Sequence, residues 1–259
     1  MFLYIDCAII AKARISKGVI NVKASAKVSF RTFIEKNRHG LLLLYFLIYL
    51  PWFGYLEKTV TTHFHVIHMA LDDVIPFCEY FIVPYLLWFG YVAWGLGYFF
   101  HKNKNEYLRL CTVLFTGMTI FLIVSTLYPN GHYLRPTEFE RSNVFVYMVK
   151  WLYATDTSTN LFPSIHVYNS IAVNMAVWHS ENFRKNKAVR FGSAALMVSI
   201  ILSTMFLKQH SVFDVATGIL LAIFMYMLVY SSNTALSLSG ERRYKTRRHA
   251  RPGSLSTQE

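Results

Sequence analysis

The sequence predicts an all-α protein, a six-transmembrane-helix bundle, and three observations support this fold class. Of the 259 residues, 54% are hydrophobic and only 15% are charged, whereas a soluble domain carries about 25% charged residues. The hydrophobic residues are gathered into six long blocks, and the charged residues lie between the blocks. Lipid cannot satisfy exposed backbone polar groups, so blocks of this kind are expected to be helices. The pattern argues against a cytosolic enzyme, a nucleic-acid-binding module and a disordered chain.

Each of the six blocks is long enough to cross a bilayer as a helix. A membrane-spanning helix needs about 20 apolar residues, within a range of about 17–25. Five blocks have no formal charge, and the last contains only Asp214. The predicted spans cover residues 40–56, 80–100, 110–128, 161–180, 191–207 and 212–231. We therefore predict a membrane domain over residues 40–231, between a basic N-terminal arm (1–39) and a basic tail (232–259).

The distribution of basic residues predicts the orientation of the bundle. Six spans place both termini on one side together with segments 101–109 and 181–190, and these four segments hold 21 Lys and Arg residues. The three opposite segments hold five. Cytoplasmic segments are enriched in Lys and Arg, so we expect a multi-pass cell-membrane protein with both termini in the cytoplasm. The net charge of +12 then reflects orientation and contact of the basic termini with anionic lipid, and no nucleic-acid partner is expected.

Three polar segments lie on the non-cytoplasmic side of this topology, although they are far apart in the sequence. Residues 128–136 follow the third span, residues 162–166 open the fourth, and residues 208–214 join the fifth to the sixth. Ionisable groups inside or at the mouth of a bundle indicate a functional site. We expect the three segments to form one site.

The residue types in these segments favour nucleophilic chemistry on a phosphate. His210 and Asp214 are four residues apart, so on a helix the carboxylate can orient the imidazole and leave its other nitrogen free. Nucleophilic catalysis uses this pairing of a base with an orienting group. Ser164 and His166 lie at the start of the fourth span, where a helix N-terminus favours phosphate. His166 is then a candidate acid, and Arg135 is a candidate cation for the phosphate oxygens.

In these residues the sequence resembles the type 2 phosphatidic acid phosphatase superfamily. Pro163-Ser164-Ile165-His166 matches the family's Pro-Ser-x-His pattern in full, and Arg135-Pro136 matches the end of its first pattern. The third pattern is matched in its spacing at Ser203, His210 and Asp214. The resemblance covers residues 40–231 and implies a six-helix bundle with its site on the non-cytoplasmic face.

The resemblance also implies a reaction on a membrane lipid that needs no metal and no cofactor. His210 would be the nucleophile that forms a phosphohistidine, with Asp214 orienting its ring. His166 would protonate the leaving oxygen, while Ser164 and Arg135 hold the phosphate. The resemblance leaves the oligomeric state open.

Two cations of the family pattern are missing. Tyr128 and Thr204 stand where the family has Lys and Arg. A phosphomonoester is close to a dianion at neutral pH because its second pKa is about 6, whereas a diester carries one charge. The shortage therefore favours phosphodiester lipids, and it resembles the branch of inositol phosphorylceramide synthases and sphingomyelin synthases. Lys208, two residues before His210, is a candidate replacement cation that would also bind phosphate.

Three functions remain open from the sequence. The first is hydrolysis of a lipid phosphomonoester, and the second is transfer or hydrolysis of a phosphodiester headgroup. The third is a non-catalytic transporter or lipid-binding protein on the same scaffold. The complete His/His/Asp set favours the two enzymatic functions over the third.

A run of histidines at His63, His65 and His68, followed by Asp72 and Asp73, suggests metal ligands at first sight. The spacing fits no single face, because the first pair suits a strand and the second pair suits a helix. We therefore interpret the run as an amphipathic surface segment near the site, where it could line the access route of a lipid.

Overall fold

The computed structural model describes residues 37–231, so most of the predicted basic arm and the whole predicted tail lie outside the described residues. The elements in chain order are α1 (Phe46–Thr59), β1 (His65–Val66), α2 (Ala70–Val74), α3 (Ile82–Lys102), α4 (Lys104–Leu127), β2 (Asn130–Gly131), α5 (Val144–Thr155), α6 (Ile165–His179), α7 (Lys187–Phe206) and α8 (Val212–Tyr226). Short 3-10 helices cover Arg38–Tyr45, Glu79–Phe81 and Glu181–Phe183, and a π-helical turn covers Met227–Ser231.

Five helices in residues 37–231 are long and apolar enough to cross a membrane. They are Arg38–Thr59, Glu79–Lys102, Lys104–Leu127, Lys187–Phe206 and Val212–Tyr230. They correspond to five of the six predicted spans, and they confirm the all-α membrane fold class. Their outward faces carry large exposed apolar side chains such as Leu47 and Leu220, which suits contact with lipid better than contact with water. The chain is thus an integral membrane protein by the length and composition of its helices.

The predicted fourth span differs from the other five. Residues 161–180 contain α6, which has only 15 residues and is therefore about 22 Å long against a hydrocarbon thickness of about 30 Å. The helix starts late because Asn130 holds the chain before it: the Asn130 Oδ1 accepts the backbone N–H groups of Leu161 and Phe162. Five of the six predicted spans are therefore long helices, and the fourth contains a shorter one.

Helix α6 lies among α3, α4, α7 and α8, and most of its side chains are buried. It approaches α4 closely at Gly117, where an added Cβ atom would lie 2.1 Å from the ring of Tyr168. The hydroxyl of Tyr168 donates to the backbone oxygen of Val113 at 2.6 Å. Only a glycine at position 117 leaves room for this aromatic ring.

We expect Gly117→Ala to lower the free energy of unfolding by about 2 kcal/mol, because the added methyl group displaces the buried Tyr168 ring. Gly97→Ala is the matched control, since it also lies inside a helix but nothing lies within 4 Å of its added Cβ. Thermal unfolding of both variants in the same detergent measures the difference. Equal Tm values for the two variants would contradict this packing argument.

The segment between α4 and α6 contains a helix that the sequence did not predict. Residues 129–160 read as an outer loop, but α5 occupies the middle of this segment and buries Val146, Val149 and Leu152. Next to it, β1 pairs in parallel with β2, with His65 opposite Asn130. The histidine run is therefore paired with residues 130–131, which precede the candidate site in the sequence.

Candidate active site

The three predicted catalytic side chains lie together where α6 and α8 begin. The Nε2 atom of His210 is 3.3 Å from the Nδ1 atom of His166, and the Nδ1 atom of His210 is 3.5 Å from Oδ2 of Asp214. Asp214 is fully buried and His210 is 5% exposed. The fold thus joins two motifs that are 44 residues apart in the sequence.

Asp214 lies beside the His210 ring, whose Nδ1 is buried without a hydrogen-bond partner in the described residues. Its Oδ2 atom accepts the backbone N–H of Ser211 at 3.0 Å, so the carboxylate is held at the first turn of α8. A proton on Nδ1 directed to this carboxylate, 3.5 Å away, would leave the lone pair of His210 on Nε2. Burial, together with the positive charge of Arg135, lowers the pKa of His210 to about 3. His210 is therefore a neutral imidazole at neutral pH.

His166 is held by aromatic rings of α3 as well as by His210. Its ring centroid lies 4.7 Å from that of Tyr85 and 4.4 Å from that of Trp88. These contacts fix the ring plane while Nδ1 faces His210. His166 therefore lies between His210 and a large cavity in the interior of the bundle, which His166 lines.

Ser164 is the N-cap of α6. Its Oγ accepts the backbone N–H of Val167 at 3.4 Å, and its own backbone N–H donates to the carbonyl oxygen of Asp214 at 3.2 Å. The two helix starts approach closely because Gly218 of α8 has no side chain, and a Cβ there would lie 2.8 Å from the carbonyl oxygen of Ser164. The first N–H groups of a helix have no partner within the helix, which makes this end suitable for an anion.

Arg135, a predicted phosphate ligand, is a brace between loops. Its Nη1 donates to the backbone oxygens of Tyr153 and Asp156, and its Nη2 donates to the backbone oxygen of Thr157 and to Oε1 of Gln209. All four Nη hydrogens are thus directed to protein oxygens. The guanidinium acts on His210 through its charge, and its remaining donor, Nε, has no hydrogen-bond partner in the described residues.

Lys208 does not join the other predicted site residues. Its ammonium group donates to the backbone oxygens of Asp72 and Ile75, and it lines a separate, polar pocket with His68 and Asp73. Its backbone is left-handed, with φ of 52°, so it reverses the chain between α7 and α8. The geometry corrects the interpretation of Lys208 as a replacement cation, because its charge is used to stabilise this turn.

The two motif positions that lack a cation do not supply a substitute. Tyr128 stacks on His65, with their ring centroids 4.1 Å apart. The hydroxyl of Thr204 donates to the backbone oxygen of Ile201 within its own helix. Both side chains therefore have structural contacts, and the site keeps the shortage of cations that the sequence indicates.

Asp72 is a positioning residue that the sequence did not identify. It is 2% exposed, and its Oδ2 accepts the hydroxyl of Ser211 at 2.6 Å while its Oδ1 accepts the N–H of Val212 at 2.8 Å. It therefore holds the start of α8, directly between His210 and Asp214 in the sequence. The sequence signal was only a pair of aspartates after a histidine run, and that pair suggested metal binding.

The histidine run does not form a metal centre in the described range. Within residues 37–231, no group of three or more His, Cys, Asp or Glu side chains is placed to hold a metal ion. His68 instead pairs with Asp73 at 2.9 Å, and His65 carries the stacking contact with Tyr128. The run is part of the surface around the site, as the amphipathic interpretation expects.

His132, in the segment that follows α4, is a second buried support of the site. It is fully buried, its Nε2 donates to the backbone oxygen of Gln209 at 2.9 Å, and its Nδ1 accepts the N–H of Leu134 at 3.2 Å. Nε2 can donate while Nδ1 accepts only when the imidazole is neutral. Burial lowers the pKa of His132 to about 4.

The two low pKa values predict a protein that loses stability in mild acid. An unfolded histidine titrates near pH 6.5, so between about pH 4 and 6.5 the unfolded chain binds protons that folded His132 and His210 exclude, and stability rises with pH. Lowering the pH from 7 to 5 should remove about 2 kcal/mol through His132 alone. His132→Gln should reduce the loss by this amount, whereas the exposed control His63→Gln should not. Denaturation of the unchanged protein and of both variants at pH 7 and pH 5 measures the loss of stability. Equal losses in all three proteins would contradict the role of His132.

A large cavity lies beside the catalytic cluster. It has a volume of about 670 Å³ and is lined almost entirely by apolar and aromatic side chains of α1, α3, α4, α5 and α6. His166 and Asn169 of α6 are among its few polar groups, together with Asp156 at the end of α5. Small-molecule sites have volumes of about 300–1,000 Å³ and a similar apolar character with few polar groups. The cavity thus has the size and the lining of a site for an apolar ligand that ends at His166.

A comparison with known protein families finds a match for part of the chain. Residues 141–237 match the family model of the PAP2 superfamily. Over these residues the chain is similar to the PAP2 superfamily. The PAP2 segment contains the Pro-Ser-x-His motif and the His210 and Asp214 positions, whereas Arg135 lies just before it. Comparisons with curated proteins and with solved structures found no match.

The match to the PAP2 superfamily supports a function of the phosphatase or phosphotransferase type. A function of this type would account for the two imidazoles and the carboxylate at the site, because transfer of a phosphoryl group needs a nucleophile and a proton donor. The PAP2 match does not distinguish the headgroup-transfer branch from other members.

Proposed function

We propose that this PAP2 protein cleaves a membrane-lipid phosphoester through a phosphohistidine on His210. The observation that supports this most directly is the apolar cavity of about 670 Å³ that reaches His166, whose Nδ1 lies 3.3 Å from the candidate nucleophile. Each buried CH₂ group contributes about 0.8 kcal/mol. A long lipid chain in this cavity would bring its phosphate to the two imidazoles.

In the first step, the lone pair of His210 Nε2 attacks phosphorus and forms an N–P bond. The phosphate enters between the two imidazoles, so their rings must separate when the lipid binds. The negative charge of the bound phosphate favours a proton on His166, which His166 takes from solvent. As the P–O bond breaks, the leaving oxygen receives this proton, and Asp214 stabilises the positive charge on His210.

In the second step, water or an acceptor alcohol gives its proton to neutral His166. Its oxygen attacks phosphorus, the N–P bond breaks, and the electron pair returns to His210 Nε2. The same site thus supports hydrolysis and transfer, and the acceptor that reaches His166 decides between them. The N–H groups at the start of α6, capped by Ser164, are positioned to stabilise the phosphate oxygens.

The shortage of cations favours a diester substrate. Arg135 uses its Nη hydrogens on protein oxygens, and Lys208 is bound to the backbone near α2. The carboxylates of Asp214 and Asp156 lie near the same site, so the local charge does not favour a dianion. A phosphodiester has one negative charge and needs less compensation.

We further propose that the site faces the non-cytoplasmic side, with residues 1–39 and 232–259 on the cytoplasmic side. The 21-to-5 distribution of Lys and Arg supports this orientation. The basic termini would then lie near anionic lipid. Tagging each terminus and testing its protection from protease in sealed vesicles would measure the orientation.

The test of the proposed function is turnover by purified protein in lipid nanodiscs. Phosphatidic acid, an isoprenyl pyrophosphate and phosphodiester lipids, each labelled in the phosphate, are supplied with and without acceptor alcohols. We expect turnover of a phosphodiester with higher kcat/KM than the monoester, and labelled acceptor if the enzyme transfers headgroups. Faster turnover of phosphatidic acid would overturn the diester preference. No turnover of any lipid would support the non-catalytic function instead.

A further inference from the structure

The cavity contains one buried polar group that the proposed reaction does not use. Asn169 lies three residues after His166 on α6, lines the same cavity and is 1% exposed. In residues 37–231, its Oδ1 atom has no hydrogen-bond partner. Three residues of helix correspond to about 4.5 Å along the axis. The amide therefore lies about one turn deeper than the imidazole at which the phosphate would react.

Neighbouring polar side chains of α6 are satisfied within the protein. Ser170 donates to the backbone oxygen of His166 at 2.6 Å, and Asn174 accepts from the hydroxyl of Ser193 at 3.0 Å. A buried polar atom without a partner is unfavourable and rare in folded proteins. Asn169 differs from its neighbours because it faces the cavity, so a donor on the ligand can satisfy it.

We propose that Asn169 Oδ1 accepts a hydrogen bond from a hydroxyl or amide N–H of the lipid, close to the phosphoester. The proposal rests on the proposed function for the position of the phosphate at His166. It assigns the substrate class: lipids with a hydrogen-bond donor a few bonds from the phosphate are preferred over lipids with a plain hydrocarbon chain. The rest of the chain would lie against apolar side chains of α4 such as Leu114 and Met118.

Binding of three matched probes tests this assignment. The probes are long-chain alkyl methyl phosphates with a hydroxyl, a methoxy group or hydrogen at the second carbon, each with a brominated chain. Trp88 and Trp151 line the cavity, so quenching of tryptophan fluorescence reports occupancy. The full-length protein carries His210→Ala in every case to prevent turnover.

We expect the hydroxyl probe to bind with a Kd about tenfold lower than that of the other two probes. A ratio of this size corresponds to the net contribution of one ordinary hydrogen bond to binding. Asn169→Leu should reduce this ratio to about one, and Asn169→Ala provides the same test if the leucine variant does not fold. Asn174→Leu is the matched control on the same helix and should keep the tenfold ratio.

Equal Kd values for the three probes in the protein with native Asn169 would overturn the proposal. Equal binding of the methoxy and hydroxyl probes would also overturn it, because it would show that the amide N–H, and not Oδ1, contacts the ligand. These outcomes are separate from failure of the proposed function. A tenfold ratio without any lipid turnover would contradict the reaction only, whereas turnover without the ratio would contradict the role of Asn169 only.

Discussion

Replacing His210 by Ala is expected to lower kcat/KM for the best lipid phosphoester by at least about 10³-fold, to the background rate. The reason is that Nε2 of His210 is the only atom that forms the covalent bond to phosphorus in the proposed reaction, and residues that act as a unit in covalent catalysis show losses of this size. Initial rates with labelled lipid measure the loss. A His210→Ala variant with normal turnover would disprove the phosphohistidine.

The His210 experiment needs a control for folding and for the site of labelling. His63→Ala removes an exposed histidine and should keep the rate of the unchanged protein. In addition, protein quenched in base during turnover should carry labelled phosphate, and His210→Ala should carry none. A variant that loses both its label and its thermal transition would indicate unfolding, so the Tm values of the three proteins must be compared.

Replacing Asp72 by Ala is expected to produce the second largest effect. The substitution leaves the Ser211 hydroxyl and the Val212 N–H without their buried acceptor, and breaking a buried charged contact costs about 3 kcal/mol. The start of α8 then moves, and with it the carboxylate of Asp214 that orients His210. We expect kcat to decrease by about 10²-fold, with a smaller change in KM, because small displacements at a site have large effects on rate.

Asp73→Ala is the matched control for Asp72. Its side chain is 66% exposed and pairs with the exposed His68, so its removal should change neither kcat nor Tm measurably. Steady-state kinetics and thermal unfolding of the two variants give the comparison. If Asp72→Ala and Asp73→Ala have the same kcat and the same Tm, the buried contact does not position the site.

Much of the fold was predictable because hydropathy is a local property of the chain. The five long helices were visible in the sequence as blocks with at most one charge, and a helix satisfies its own backbone in lipid whatever surrounds it. The length of α6 was not predictable in this way. Its start depends on the amide of Asn130, which accepts N–H groups from residues that are 31 and 32 positions away. Helix α5 was missed because, although it is apolar, its 12 residues are too few to span a bilayer.

The candidate site was predictable where its residues are close in sequence. The spacing of His210 and Asp214 predicted that they approach each other, although His210 lies two residues before α8, which begins at Val212. The functions of Arg135 and Lys208 did not follow from sequence, because a cation can bind a phosphate or a backbone carbonyl equally well in chemical terms. Only the positions of the carbonyl oxygens around them show which contact is made.

The sequence by itself determined the membrane fold class and the residue types of the reaction. The charge deficit, the blocks and the short motifs depend only on neighbours along the chain. The tertiary structure decided which distant groups meet: His166 with His210, Asp72 with the start of α8, and Asn169 with the cavity. These contacts arise from the packing of helices whose registers depend on single positions such as Gly117 and Gly218, and no local pattern encodes them.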